Sequence, residues 1–437
     1  MRLLTKILNK LNISNFDVFS LGNSAIVCYF IIFYLMPILA LLGVSIKFVP
    51  TSSAIPYKAL GYATIGLIFF IIGYFNKLPV LISKKLPNSF KRKWDFRRVW
   101  WVFGVTLVLG LILKAFRILG GGYQILNIKK SFTQAPFYNL IGTFDWFFYI
   151  ALAIAFIAYF YFKKTGDRRY KIWRYFAWGT FLLGLFYALP SCSRMSAIVP
   201  VIIYLIIRWY IWERNLWHIL MVMAMAVVFL FPFGNACRHP KALISYQITS
   251  ERNQVVSESP ASLVLNSGKF AADSFLSRIN QSMILSAIIN HQLFEYGSSF
   301  KEIALVFSPP RFIWKNKPMS ANADGNEFGH RIGVLASDDR ITGVGPTIVG
   351  DWYMNFGLAG IVLGMLLMGM LFRVIYEYLI KRTEVSLSGV MIYSIVWIQI
   401  IKGMEDWIAP VYVGLIRIFV ILLVIHFLIS KKLFLKK

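Results

Sequence analysis

Ten stretches of about 20 mostly apolar residues recur along this chain, the length that about 30 Å of hydrocarbon demands of a spanning helix. They fall near 21–44, 54–75, 99–119, 138–162, 175–190, 196–212, 216–235, 346–372, 385–402 and 408–429. A bilayer offers backbone N–H and C=O groups no water, so such segments must close their hydrogen bonds internally, as helices. Of the 437 residues 58% are hydrophobic and 15% charged, which excludes a soluble, disordered or fibrous chain. Three cysteines exclude a disulfide scaffold. The fold class expected is therefore all-α: a polytopic transmembrane helical bundle of ten spans.

The formal net charge of +27 would point a soluble chain toward nucleic acid, but its distribution points to the membrane. With a cytoplasmic N-terminus, the segments on that side are 1–20, 77–98, 163–174, 208–214, 373–384 and 431–437, and they carry 26 of the 46 Lys and Arg against six acids. The positive-inside rule then places both termini in the cytoplasm, and no nucleic-acid partner is expected. Membrane lipids are the expected partners of basic runs such as Lys91-Arg92-Lys93. The first 20 residues lack the short apolar run and cleavage site of a signal peptide. In them Leu3, Leu4, Ile7, Leu8 and Leu11 have the spacing of a helix lying on the inner leaflet. Cys192 and Cys237 fall near the far side, where a disulfide is chemically possible.

Residues 236–345 break the membrane pattern and divide the chain into helices of 1–235, an extracytoplasmic loop, and helices of 346–437. The loop holds eleven basic and nine acidic residues, and a connection this long is usually functional. Residues 261–293 have apolar positions at helical spacing. The stretch 308–318 is too rich in Pro for a helix and too apolar for a solvated linker, so it is expected to fold onto the outer mouth of the bundle.

Charges inside apolar windows cost at least about 2.5 kcal/mol at the bilayer centre and need a reason. Arg417 falls about 14 Å, and Asp145 about 10 Å, below the outer ends of their spans, from the rise per residue. The two either pair with each other or line a cavity open to the outside. Arg194 sits at a tight outer hairpin, where it either snorkels to the interface or grips a phosphate. Asp351 opens the eighth span, either steadying a helix N-terminus or acting as a general base facing the outer cavity. No His pair has metal-ligand spacing and no Walker-type loop occurs, so neither metal nor cofactor is expected.

Several outer segments form a series: Ser277-Arg278-Ile279-Asn280-Gln281, Tyr296-Gly297-Ser298-Ser299, Pro310-Arg311-Phe312-Ile313-Trp314 with Lys317-Pro318, and Gly350-Asp351-Trp352-Tyr353-Met354-Asn355-Phe356-Gly357. In order and spacing, with Arg117 before a Gly triplet and Ser193-Arg194 at the hairpin, the series resembles Wzy-type oligosaccharide repeat-unit polymerases over about residues 115–365. The resemblance implies a GT-C-like glycosyltransferase in the bacterial inner membrane. Such an enzyme joins repeat units carried on undecaprenyl diphosphate and takes no nucleotide sugar. It also implies a chain-length regulator and a flippase as partners. The related ligases carry a His before the corresponding helix start, where this chain reads Gly345-Pro346-Thr347.

Cleaving an anomeric bond to a diphosphate requires cations at the departing oxygens, a role for Arg194, Arg278, Arg311 and Arg331. Attack by a sugar hydroxyl requires a base, with Asp351 first and His291, Glu327 and His330 behind it. Arg117, Lys317, Trp314, Trp352, Tyr353, Arg417 and Asp145 are the expected substrate-binding residues. The aromatic members stack on sugar faces or belong to an interfacial belt. The rival readings are a transporter of lipid-linked sugars, which the absence of internal repeats disfavours, and an O-antigen ligase.

Overall fold

The computed structural model describes residues 17–42, 56–119, 145–188, 194–226, 280–306, 314, 325–335, 343–382 and 386–430. Among the described residues the regular elements are helices, joined at one point by an isolated antiparallel bridge between Trp94 and Ser430. Seven are long and apolar enough to cross a membrane: Leu21–Leu39, Tyr57–Phe75, Phe96–Phe116, Trp146–Thr165, Thr347–Lys381, Leu387–Glu405 and Ile408–Ile429. Each coincides with an apolar stretch of the sequence. The other three stretches hold helices as well, Tyr170–Ala188, Ser196–Trp212 and Leu216–Ala226. The all-α membrane class read from the sequence is the class observed.

The core is built around two helices, α1 (Trp146–Thr165) and α2 (Leu387–Lys402). Every side chain from Phe148 to Phe160 in the first, and from Ser388 to Ile398 in the second, is buried. Helices apolar all round belong inside a bundle, and these two lie there. The longest helix, α3 (Thr347–Tyr376), runs along α4 (Tyr57–Phe75) on the flank. Their backbones touch: a Cβ at Gly73 would strike the Leu366 carbonyl, and one at Gly369 the Phe70 carbonyl. Without a hydrophobic drive between helices in lipid, small residues supply the close packing that holds them.

Among the described residues, the basic segments 77–98, 163–174, 208–214 and 373–382 gather at one end of the bundle. Arg382 donates to the carbonyls of Ser83 and Leu86, Asp95 N–H to the Ile429 carbonyl, and Lys164 Nζ to the Ile211 carbonyl. Asp17 is buried at this end and accepts from Trp209 Nε1 at 2.9 Å and from the hydroxyls of Tyr210 and Tyr376. At the opposite end, three short helices from the stretch 236–345 cover the starts of α3 and of α5 (Ile408–Ile429). They are α6 (Gln281–Asn290), within the window expected to be helical, α7 (Ser298–Val306) and α8 (Gly325–Arg331). The amphipathic first segment, Cys192, Cys237 and, apart from Trp314, the Pro-rich stretch 308–318 lie outside the described residues.

Candidate functional site

The site is organised by a break in α3. Phe356 (φ −146°, ψ 19°) and Gly357 (φ 62°, ψ −147°) leave the helical region, and the second conformation is open essentially to glycine alone. The break interrupts the i to i+4 ladder, and the Met354 carbonyl accepts instead from the N–H of Glu295 at 2.7 Å. That bond fixes the turn between α6 and α7 on the kink. Gly297, at φ 84°, lies against the ring of Phe356. At the head of α3, Thr347 is held at φ 66°, unusual for a β-branched residue, with its Oγ1 accepting from Gly350 N at 3.1 Å.

Asp351 stands one turn before the break and is completely buried, with 0% of its surface exposed. Oδ1 accepts from Ser299 Oγ at 2.8 Å and from Asn355 Nδ2 at 2.7 Å, and Oδ2 accepts from the N–H of Ile408 at 2.7 Å. Ile408 is the first residue of α5, so the carboxylate satisfies an otherwise orphan N–H at that helix's positive end. The expected contact with a helix N-terminus therefore exists, but to a helix other than its own. The expected position facing an outer cavity does not: the carboxylate joins three helices and reaches no surface.

A largely buried carboxylate paired with a half-exposed cation lies next to it. Glu295 Oε1 accepts from Arg331 NH2 at 2.6 Å and Oε2 from Ser298 Oγ at 2.9 Å. The Glu295 side chain is 10% exposed and that of Arg331 46%, so the pair forms a step between buried network and solvent. Ser298 and Ser299 are neighbours, which couples the pair to Asp351 through two adjacent hydroxyls. His291 ends α6 with an exposed ring whose Nε2 faces Gly333, two residues beyond Arg331. Glu327 is exposed and His330 half-buried, both on α8. Among the described residues no three His, Cys, Asp or Glu side chains gather as metal ligands.

Trp352 and Tyr353 are both buried, the first against Phe300 and the second between Tyr62 and Phe294, so neither offers a free ring face. The exposed rings beside the kink are Phe294, Tyr296, Phe300 and Phe356, with Tyr296 81% exposed, and Trp314 is exposed as well. None of the first four was selected from the sequence. Glu295 was passed over too, although it immediately precedes the Tyr296-Gly297-Ser298-Ser299 segment. Its only sequence signal was an acid beside that segment, and the partner 36 residues away is visible only in the fold.

The paired charges expected inside the bundle are not those observed. Asp145 lies 3.2 Å from Lys114 Nζ, with both side chains buried, and Lys114 also stands over the rings of Phe148 and Tyr149. Arg417 is exposed midway along α5 and forms no ion pair among the described residues. Helix packing turns Asp145 toward Lys114, and the cation–ring contacts offset part of the ammonium's desolvation. Arg194 opens a helix, Arg194–Ile207, and Arg117 lies near the end of Phe96–Leu119, but their side chains fall outside the described residues, as do Arg278, Arg311 and Lys317.

No curated protein and no solved structure matches this chain. Residues 331–416 match the family model described as "Putative O-antigen polymerase". That stretch holds Arg331, all of α3 with Asp351 and the break, α2, and the start of α5, so the likeness to oligosaccharide repeat-unit polymerases read from the sequence is borne out there.

Proposed function

We propose that this protein polymerises undecaprenyl-diphosphate-linked oligosaccharide units into surface polysaccharide, by glycosyl transfer at the outer face of the bacterial plasma membrane. The observation that carries the reading is the position of the Glu295–Arg331 pair, whose arginine is half-exposed. Glu295 is hydrogen-bonded to the broken helix through the Met354 carbonyl, Arg331 lies inside the matched segment, and the pair sits at the end of the bundle opposite Arg382. A polymerase of this kind needs an opening at the membrane boundary where a lipid diphosphate meets a sugar hydroxyl. The pair and its four exposed rings supply a cation, a carboxylate and stacking faces in one place.

In this reading Arg331, with Arg194, Arg278 and Arg311, takes the charge that develops on the departing diphosphate. Arg117 and Lys317 add to the positive field that draws in the lipid head, and Trp314 stacks on sugar. Asp351 is a positioning residue that holds Ser299 and the start of α5 under the pair. His291 and Glu327 are exposed and His330 half-buried on the elements that carry the pair, α8 and the end of α6.

The test is direct. Purified protein receives only lipid-linked repeat units isolated from the cells that carry it, with a chelator and no nucleotide sugar, and products are resolved on a gel. A ladder is expected, and it should weaken about a hundredfold in Arg331→Ala, corresponding to about 3 kcal/mol of transition-state stabilisation. Intact units that never lengthen would sink the reading and favour transport.

A further inference from the structure

Resting on that reading, we infer that Glu295 is the general base of the transfer, and that Arg331 serves it and the leaving diphosphate at once.

Two carboxylates lie near the break, and their lone pairs separate them. A carboxylate offers about four acceptor sites. Asp351 has three of them filled, by Ser299, Asn355 and Ile408, and has no exposed surface for an acceptor to approach. Glu295 has one donor on each oxygen, Arg331 on Oε1 and Ser298 on Oε2, and its side chain keeps 10% of its surface open. Each Glu295 oxygen can therefore take a further hydrogen bond, from a hydroxyl that reaches the exposed part of the side chain. Its aim is fixed at three points: the backbone bond to Met354, the Ser298 hydroxyl and the guanidinium. A base held this way enters the reaction without reorganising.

Arg331 contributes one NH2 group to Glu295, and a guanidinium has five N–H donors in a planar fork. The remaining edges are free to meet phosphate oxygens, so a single cation can lie between base and leaving group. In the step itself, the acceptor hydroxyl oxygen bonds to the anomeric carbon of the growing chain while the bond from that carbon to the diphosphate oxygen breaks. The hydroxyl proton passes to the Glu295 carboxylate. The electron pair of the broken bond leaves with the lipid diphosphate, held by Arg331, and the proton then returns to water. The exposed rings of Phe294 and Tyr296, on either side of Glu295, give the acceptor sugar faces to stack on while its hydroxyl points at the carboxylate.

Three variants decide it: Glu295→Gln, Arg331→Gln, and the charge-swapped pair Glu295→Arg with Arg331→Glu. Each is followed by the product ladder and by binding of undecaprenyl diphosphate alone. Glu295→Gln should lose at least about a hundredfold in turnover, within the range of general base catalysis, while binding undecaprenyl diphosphate within about threefold of the wild type. Arg331→Gln should weaken that binding by about tenfold or more. The swapped pair restores an ion pair but turns the base into a cation, so it should fold and stay inactive. Because the swap also removes Arg331, Glu295→Asp stands in for Glu295→Gln if that protein fails to fold. It keeps the ion-pair charge but draws the carboxylate back by about one methylene, so turnover should fall at least about tenfold with undecaprenyl diphosphate binding unchanged, and a ladder at the wild-type level would overturn the role. Restoration of the ladder by the swap, or a Glu295→Gln ladder within about threefold of the wild type, would overturn the role of Glu295 and leave the polymerase standing. A wild-type protein that binds undecaprenyl diphosphate and makes no ladder would overturn the polymerase, and the base with it.

Discussion

The two ends of α3 each bury a carboxylate, and they do so for different purposes. At the far end Asp17 is enclosed by the Trp209 indole and the hydroxyls of Tyr210 and Tyr376, with the Tyr393 ring packed beside Tyr210 and Tyr376. At the near end Asp351 is enclosed by a hydroxyl, an amide and a backbone N–H. In both places neutral donors hold the carboxylate in place of a cation. The difference lies one layer out: Asp17 is backed by rings, whereas Asp351 is backed by Ser298, Glu295 and Arg331, the last of them half-exposed. A satisfied buried charge builds architecture, and chemistry begins where the next charge reaches a surface.

The largest effect should come from removing the inner member at the near end. Asp351→Ala leaves the Ser299 hydroxyl and the Ile408 N–H without an acceptor, while the Asn355 amide keeps the residue-351 carbonyl and Ser299 Oγ. It should cost about 3 to 5 kcal/mol, read as a fall in detergent melting temperature, together with most of the product ladder. Asp17→Ala should destabilise by about 3 kcal/mol through the same mechanism. Its product per folded molecule should stay at the wild-type level, so an equal loss of specific activity in both variants would erase the distinction between the two ends. Arg331→Gln should invert the pattern. Turnover should fall about a hundredfold, while stability moves by no more than about 1 kcal/mol, because the ion pair is half-exposed.

Gly357→Ala tests whether the break is built into the backbone. A side chain at φ 62°, ψ −147° should cost about 1 to 3 kcal/mol and shift the turn that carries Glu295, read as lower melting temperature and reduced turnover. The smallest effect belongs to the exposed rings. Tyr296→Ala should raise the acceptor concentration needed for half-maximal rate by a few-fold, about 1 kcal/mol of stacking, with melting unchanged. No change in acceptor dependence would assign that ring to the lipid interface.

Much of the fold was legible because membrane insertion leaves a local signature. Among the described residues, all seven helices long enough to span coincide with an apolar stretch, and the basic segments 77–98, 163–174, 208–214 and 373–382 meet at one end, where Arg382 reaches Ser83 and Leu86. Asp351 was legible as an acid within the series of motifs, and Arg331 as a cation of the outer loop. Their relation was not. The sequence leaves Asp351 either steadying a helix N-terminus or acting as a base, because nothing in its own segment shows that Ser299 and Ile408, 52 and 57 residues away, occupy its oxygens. Lys114 is hidden in an apolar window, and pairing with Arg417 is only one of two readings the sequence allows for Asp145; packing turns Lys114 toward the aspartate and Arg417 outward.

The sequence by itself determined the spanning helices and the side on which positive charge collects, because hydrocarbon acts on each segment as a local solvent. It also set the break in α3, since glycine at 357 permits a conformation closed to other residues. Only the tertiary structure decided which carboxylate is sealed and which is open. That outcome depends on donors contributed by segments tens of residues apart, and a carboxylate's accessibility is a property of the packing around it.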